Sequence, residues 1–174
     1  MHENCILYVP IMTASKYYVS GWEVKNVKEA GVLKITVQGG GELVFEEKSI
    51  RNKSEEILFT PYKSFYLTFN SDDDYSIRKL RLNGENVITM VEDGKIYIEE
   101  PEENIELAVT FGDNSVKNGD VNGNGFIEKE DAVLLMRHIV NDKSEPIFEY
   151  ASDMNDDDII NVTDVLLIII ETNK

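Results

Sequence analysis

The chain has 174 residues, and its seventeen basic and thirty-three acidic residues give a formal net charge of −16 at pH 7. This charge excludes nucleic acid as a partner and disfavours an anionic membrane surface, because both repel an acidic protein. Apolar residues make up 42% of the sequence, which is enough for packed cores, whereas the single cysteine, Cys5, cannot form an internal disulfide framework.

Residues 1–30 predict a small leading segment. The run CILYVP predicts a short strand ended by Pro10, and ASKYYVSGWEVKNV predicts a short helix that packs through Trp22, Tyr17 and Tyr18. Together they resemble the terminal cap of a leucine-rich-repeat domain in bacterial surface proteins. The first residues lack the basic region of a signal peptide, and we expect the chain to be a piece of a longer protein.

Residues 31–112 consist of short runs in which apolar and polar residues alternate, as in half-buried strands. The runs are GVLKITV, GELVFEE, EEILFTP, SFYLTFN, YSIRKLRLN, NVITMV, KIYIEE and NIELAVTF. Turn-forming pairs such as Asn83-Gly84 and Asp93-Gly94 separate several of them. The pattern predicts an antiparallel β-sandwich, and residues 75–111 resemble the small Ig-like repeats of bacterial surface proteins.

The stretch DVNGNGFIEKED at residues 120–131 follows a short polar linker, residues 113–119, and has the spacing of an EF-hand-like calcium loop. Gly125, at the sixth position, allows the positive φ that the sharp turn needs. The predicted ligands are the side chains of Asp120, Asn122, Asn124, Glu128 (directly or through a water) and Asp131, and the backbone carbonyl of Phe126.

The pattern recurs thirty-three residues later as DMNDDDIINVTD, residues 153–164. Repetition at a fixed period indicates a structural unit, and we expect two Ca²⁺ ions. Asp158 stands where the first loop has glycine; because aspartate tolerates the left-handed region better than most residues, we expect weaker binding there rather than none. The predicted ligands of this loop are Asp153, Asn155, Asp157, Ile159 (carbonyl), Asn161 and Asp164.

Each loop precedes an apolar run, AVLLMRHIV or VLLIIIETN, that predicts a helix, and each ends in aspartate rather than the glutamate usual in EF-hands. In these features residues 115–174 resemble a dockerin. The resemblance implies a non-catalytic module that binds one cohesin domain of a secreted or cell-surface scaffold, as in cellulosomes for polysaccharide degradation. It also implies that the Ig-like domain is an X-module, a rigid companion rather than a sugar binder.

The helical runs predict two apolar stripes. Ala132, Leu135, Ile139, Val165 and Ile168 suffice as the core, and the second stripe is expected to be exposed. In dockerins the corresponding helix positions and the tenth and eleventh loop positions contact cohesin. By that resemblance the partner-binding residues are Lys129, Glu130, Val133, Met136, Arg137, Val162, Thr163, Leu166, Ile169 and Ile170. Since the first copy is partly charged and the second apolar, we expect one binding orientation, anchored by the second copy; packing of this stripe against the preceding domain is the alternative.

The predicted fold class is multidomain α+β. A cap segment (1–30) and an antiparallel Ig-like β-sandwich (31–112) precede a small all-α dockerin with two loop-helix repeats (113–174). We expect no catalytic constellation, because Cys5 has no evident histidine partner, His138 is expected to be a surface or interface residue rather than a base, and calcium explains the carboxylate spacing. The leading hypothesis is a monomeric, calcium-dependent docking module without membrane insertion. The alternative is a calcium-stabilised structural or adhesin segment without a cohesin partner.

Overall fold

The computed structural model describes residues 6–11 and 27–174. The described part is mostly β, with three short α-helices and a 3-10 helix, Ile88–Met90, near the middle of the chain. The strands are β1 Leu7–Pro10, β2 Val27–Gly39, β3 Gly41–Phe45, β4 Lys48–Ile50, β5 Lys53–Phe59, β6 Phe65–Ser71, β7 Tyr75–Leu82, β8 Glu85–Asn86, β9 Lys95–Ile98 and β10 Ile105–Asp113. The helices are α1 Lys129–Ile139, α2 Glu149–Ser152 and α3 Val162–Glu171.

The strands form two sheets. The larger has the order β1-β2-β10-β7-β8, with β5 paired to β2, and the smaller has the order β4-β3-β6-β9. In the smaller sheet all the pairs are antiparallel. In the larger sheet β2 runs parallel to β1 and β10 and antiparallel to β5, so this sheet is mixed.

The predicted antiparallel Ig-like β-sandwich is therefore wrong. Alternating apolar and polar residues identify the buried face of a strand, but they specify neither its neighbour nor its direction. The long strand β2 illustrates this, because its second half has a parallel partner on one edge and an antiparallel partner on the other. The run NVITMV, predicted as a strand, contains the 3-10 helix, and β4 was not predicted.

The predicted strand in CILYVP corresponds to β1. The predicted helix that follows it, with its packing residues Tyr17, Tyr18 and Trp22, lies outside the described residues. No helix in the described ranges is long and apolar enough to cross a membrane.

Internal contacts divide the chain into two units. The first comprises Met1–Ser71 and Lys79–Phe111, and the second comprises Asp72–Arg78 and Gly112–Lys174. The second unit thus contains both loops, all three helices and a short segment from earlier in the sequence.

Large side chains from both sheets form the core of the first unit. Phe65 of β6 packs against Phe45 and Phe59, with ring centroids 5.0 and 5.6 Å apart. The ring of Phe111 leaves no room at Gly41, where a Cβ atom would lie 2.5 Å from the ring. The largest fully buried side chains of this core also include Leu33, Ile35, Val37, Leu43, Ile50, Leu67, Leu80, Ile96 and Leu107.

Candidate metal-binding loops and exposed helix faces

The four aspartates that begin and end the two loops are buried. Asp120, Asp131 and Asp164 are 0% exposed and Asp153 is 3% exposed. Among the described residues, Ser152 is the other polar residue buried to this extent. Carboxylates are almost never fully buried unless they are paired or bind a metal, so these four residues mark the candidate site.

Backbone amides fix both carboxylates of the first loop. Asp120 accepts hydrogen bonds from the amides of Asn124 (3.0 Å) and Gly125 (2.8 Å). Asp131 accepts from the amides of Asn122 (3.1 Å) and Glu128 (2.9 Å). The first loop is therefore folded around the side chains of its own first and last residues.

The second loop repeats three of these four hydrogen bonds at equivalent positions; the fourth amide comes from the second loop position, Met154, rather than the third, Asn122. Asp153 accepts from the amides of Asp157 (3.2 Å) and Asp158 (2.9 Å). Asp164 accepts from the amides of Met154 and Asn161, both at 2.8 Å. Two loops of different composition thus adopt closely similar hydrogen-bonded conformations. This indicates that the repeated positions in the sequence determine the loop conformation.

The ligand positions between these aspartates are fixed in the same way. The side-chain oxygens of Asn122 and Asn124 accept from the amides two residues further on, at 2.9 Å each. Asn155 and Asp157 do the same in the second loop, at 3.3 and 2.8 Å. All of these candidate metal-ligand atoms are oxygens, and an all-oxygen ligand set suits a hard cation such as Ca²⁺.

The seventh and ninth positions complete the two sets. Phe126 and Ile159 have no ligand atom in their side chains, which are 69% and 61% exposed, so their backbone carbonyls are the candidate ligands. The Glu128 carboxylate accepts from Asn124 Nδ2 at 2.7 Å, and Asn161 Nδ2 donates to the Ile159 carbonyl at 3.0 Å. The residues present therefore fit a calcium ion in each loop.

Two sharp turns in each loop require positive φ. In the first loop both positions are glycines, Gly123 (φ 75°) and Gly125 (φ 92°), whereas in the second they are Asp156 (φ 58°) and Asp158 (φ 63°). A side chain in this region costs roughly 1–2 kcal/mol, although aspartate suffers less than most residues. The second loop is thus the more strained of the two.

The second loop also has the denser charge. One carboxylate oxygen from each of Asp153, Asp156 and Asp158 lies within 4.8 Å of the others. Like charges at this separation repel one another unless a cation lies between them. Strain and repulsion both oppose this conformation in the absence of a cation.

In the first loop, burial changes the pKa of the last carboxylate, Asp131. Burial raises the pKa of the Asp131 carboxyl above its ordinary value, and the amides of Glu128 and Asn122 only partly oppose the shift. A raised pKa means that the metal-free fold prefers the protonated carboxyl, so its stability falls as pH rises above the ordinary carboxyl pKa. At neutral pH a bound cation would compensate the buried charge.

Each loop leads directly into a helix. Glu128 and Asn161, at the ninth loop positions, are the N-caps of α1 and α3, and the twelfth residue of each loop accepts the N-cap amide. This is the second half of a capping box. The same carboxylate therefore closes the loop and caps the helix, so each loop and the helix after it are structurally coupled.

Helices α1 and α3 pack against each other around a small core. Of the five predicted core residues, Ile139 is only partly buried, whereas Ala132, Leu135, Val165 and Ile168 are buried. Leu134, which was not predicted, is 7% exposed. Val121 completes this cluster, and Ile127, Ile139, Ile147, Met154 and Ile160 pack around it.

The predicted partner residues of the two helices are largely exposed. Val133 and Met136 of α1 are 59% and 38% exposed. In the second copy the exposed apolar positions are Val162 (49%), Leu166 (55%), Ile169 (41%) and Ile170 (57%). Lys129, Glu130 and Thr163 are also exposed.

Arg137, one of the predicted partner-binding residues, forms intramolecular ion pairs and hydrogen bonds with the turn that follows α1. It donates to the carboxylates of Asp142 (2.9 Å) and Glu145 (2.6 Å) and to the Ser144 hydroxyl (2.9 Å). Together with Ser144, the guanidinium lowers the pKa of Asp142 to about 2. This cluster orders the turn after α1 and gives the first copy a charged edge.

A second set of contacts fixes the segments that flank the first loop. The Phe148 amide donates to the Val121 carbonyl at 3.0 Å, and the Phe148 ring fills the space where Gly123 lacks a side chain, since a Cβ there would lie 2.2 Å from it. The Tyr150 hydroxyl accepts from the Asp113 amide at 3.2 Å. The sequence predicted these aromatics only as part of a small core.

Arg78 was missed as a structural residue of this unit. Its guanidinium donates to the carbonyls of Asp113 (2.9 Å) and Val116 (3.3 Å). Gly112 lies between Arg78 and Tyr150, where a Cβ atom would be 2.5 and 2.7 Å from their side chains. In the sequence, Arg78 looks like an ordinary polar residue of a strand, and only the three-dimensional contact identifies it.

Comparison with known proteins identifies the helical region. Residues 118–171, just under a third of the chain, match the model of the Dockerin type I domain family, which confirms the predicted dockerin there. No curated protein and no solved structure gives a significant match to the chain. Dockerin type I domains are non-catalytic docking modules that bind calcium, their partner is cohesin, and they occur in extracellular or cell-surface cellulosome proteins.

We expect two substitutions at Asp158 to separate strain from charge in the second loop. Asp158→Asn removes the charge and keeps a residue that tolerates positive φ, whereas Asp158→Gly removes the charge and the strain. Relief of about 1 kcal/mol of strain should make the glycine variant bind the ion of this loop roughly fivefold more tightly than the asparagine variant. Calorimetric calcium titration measures the difference. Equal affinities would show that the loop holds its strained conformation before the ion binds.

Proposed function

We propose that the chain is a calcium-dependent docking segment that attaches its parent protein, outside the cell, to a cohesin on a scaffold or cell-surface protein. The observation that carries this proposal is the duplicated set of buried aspartates, held by backbone amides at three equivalent positions of each loop, within the residues that match the dockerin family model. Each of these carboxylates accepts hydrogen bonds that close its loop, which supports a structural role in docking rather than a catalytic role.

The proposal includes two Ca²⁺ ions, one in each loop. Residues 115–174 carry thirteen acidic and five basic residues, a net charge of −8, which two ions would halve. The first ion would be held by Asp120, Asn122, Asn124, Phe126 (carbonyl), Glu128 and Asp131. The second would be held by Asp153, Asn155, Asp157, Ile159 (carbonyl), Asn161 and Asp164.

Calcium removal should therefore unfold the loop-helix region. Because the carboxylates of each loop repel one another and are costly to bury, a bound cation should stabilise the folded loop, and metal binding and folding should be coupled. With excess chelator, amide hydrogen exchange in residues 129–139 and 162–171 should become at least tenfold faster, while β2 and β6 stay protected. Protection of both helices that is unchanged by the chelator would contradict the coupling.

Calorimetry can count the ions. Wild-type protein should bind two ions, and Asp120→Ala and Asp153→Ala should each remove one. Asp73→Ala is the matched control, because Asp73 is an exposed aspartate outside both loops, and it should leave the count at two.

The partner surface that we propose is centred on the second copy. Its exposed side chains, Val162, Thr163, Leu166, Ile169 and Ile170, carry no charge and lie on α3. The equivalent surface of the first copy, Lys129, Glu130, Val133, Met136 and Arg137, is mixed in charge. An uncharged exposed stripe is the kind of surface that marks a partner site, so cohesin should bind in one orientation, 1:1, with α3 at the centre.

The surface can be tested by substitution at neighbouring positions of α3. Ile169→Asp should weaken cohesin binding more than a hundredfold without changing calcium binding or melting, since Ile169 is 41% exposed. Ile168→Asp is the matched buried control, at 0% exposed, and should unfold the region. Met136→Asp and Arg137→Glu should have small effects. Binding measured against a panel of cohesins decides: if Ile169→Asp binds normally, α3 is not the surface.

The same panel also separates this function from the alternative. A calcium-loaded chain that binds no cohesin would support a calcium-stabilised structural or adhesin segment instead. Loss of binding on chelation, restored by added calcium, would support docking.

We further propose that the residues before the dockerin match stabilise the docking module. The segment Asp72–Arg78 groups with the helical unit, and in it Arg78 holds residues 113 and 116, while the Ser76 hydroxyl donates to Asn114 Oδ1 at 2.6 Å. These contacts lie outside residues 118–171. They support a companion role for the strand that carries Arg78.

Loss of the Arg78 contacts should make the helical unit melt at a lower temperature. Arg78→Met leaves two partly buried carbonyls without their charged donor, which should cost about 1–3 kcal/mol. Lys117→Met is the matched control, because it removes an exposed cation from residues 113–119, the stretch that Arg78 contacts. Calcium-loaded melting curves, read by hydrogen exchange in α1 and α3, measure the effect. Equal melting of the two variants would contradict the companion role.

A further inference from the structure

The outward surface of the smaller sheet carries an exposed pair of tyrosines. Tyr66 of β6 and Tyr97 of β9 are opposite one another in the strand register and are 59% and 47% exposed. Their ring centroids lie 4.9 Å apart with the ring planes inclined at 45°. The inward neighbours Leu67 and Ile96 are buried in the core, so the rings are not needed to fill it.

The pair lies in an open groove of about 1110 Å³ along the edge strand β9. The thioether of Met90, which is 55% exposed, adds a third apolar contact to it. The remaining lining residues are Leu82, Thr89, Glu92, Asp93, Lys95, Ile96, Ile98 and Glu99. The groove therefore combines aromatic surface with several hydrogen-bonding side chains.

Polar side chains continue the same surface beyond the tyrosines. Lys95 of β9 is opposite Thr68 of β6, and Asn70 is opposite Glu42 of β3. The Glu42 carboxylate accepts hydrogen bonds from Asn70 Nδ2 at 3.0 Å and from the Ser49 hydroxyl. An aromatic area and an ordered polar strip thus share one face of the sheet.

We propose that this groove binds a neutral polysaccharide chain. One face of a sugar ring is lined by C–H groups, which pack on the electron-rich face of an aromatic ring, while its hydroxyls at the edge need hydrogen-bonding partners. The exposed tyrosines supply the first, and Glu99, Lys95 and Thr89 are placed to supply the second. All of the groove residues belong to the first unit, outside the calcium loops.

The charge of the groove selects the class of glycan. Glu92, Asp93 and Glu99 outnumber the one basic lining residue, Lys95, and the whole chain has a net charge of −16. Anionic polysaccharides would be repelled. From the sequence we expected no sugar binding in this domain; the signal that points to it is that Tyr66 and Tyr97 both occupy the polar face of alternating strands.

Affinity electrophoresis of the intact, calcium-loaded chain tests the proposal. The gels contain hydroxyethyl cellulose, xyloglucan, mixed-linkage β-glucan or galactomannan, with polygalacturonate as the anionic polymer. At least one neutral polymer should retard the protein, and polygalacturonate should not. Tyr66→Ala and Tyr97→Ala should each weaken binding about tenfold, and the double variant should migrate as in a gel without polymer.

Two controls keep the result specific. Tyr8→Ala removes a tyrosine that is 52% exposed and lies outside the groove, and it should bind like the wild type. Tyr66→Phe and Tyr97→Phe keep the rings and should retain most of the affinity, and unchanged melting curves of the alanine variants exclude misfolding as the cause of their loss of binding. Retardation by none of the neutral polymers, or equal retardation of the wild type and the double alanine variant, would overturn the proposal.

Discussion

The helical unit depends on one electrostatic constraint, the burial of four aspartates. The backbone amides that hold Asp120, Asp131, Asp153 and Asp164 fix where their oxygens lie, but each hydrogen bond compensates only part of a full negative charge. The apolar cluster beside them contains six buried residues, which is little to set against the free-energy cost of burying four ionised groups. A cation bound in each loop would offset this cost, and the all-oxygen donor sets suit a hard ion such as Ca²⁺.

The fold of the first unit could be predicted only in part from the sequence. Alternation located most of the strands, because it depends on which side chains enter the core, and that is local information. The pairing of β2 depends on contacts with β10, more than sixty residues away, and no local pattern encodes the direction of that partner. The prediction of an antiparallel arrangement relied on short turns between neighbouring strands, and it failed because β2 takes a parallel partner from the far end of the unit.

The candidate site was more accessible to sequence reasoning, for a physical reason. An ion-binding loop takes nearly all its ligands from twelve consecutive residues, so spacing alone brings them together. The supporting contacts are not consecutive. Phe148 packs on Gly123, and Arg78 reaches the carbonyls at 113 and 116; each joins segments whose proximity is a result of folding. What the sequence could not provide was therefore the set of residues that hold the two loops in place.

The two copies share a backbone conformation but differ in what stabilises it. In the first loop, glycines at the turns and a lower local charge leave less for the ion to compensate, whereas in the second, Asp156 and Asp158 add strain and repulsion. The helices show the reverse difference in charge. Helix α1, after the less charged loop, ends in an ion-pair cluster around Arg137, whereas α3, after the more charged loop, exposes an uncharged stripe. The copy whose loop is more strained and more densely charged thus also carries the uncharged exposed stripe. Asp164 closes the second loop and also accepts a hydrogen bond from the amide of the α3 N-cap residue. An ion that orders this loop would therefore also order the exposed stripe of α3. Partner binding would then depend on calcium through this one residue.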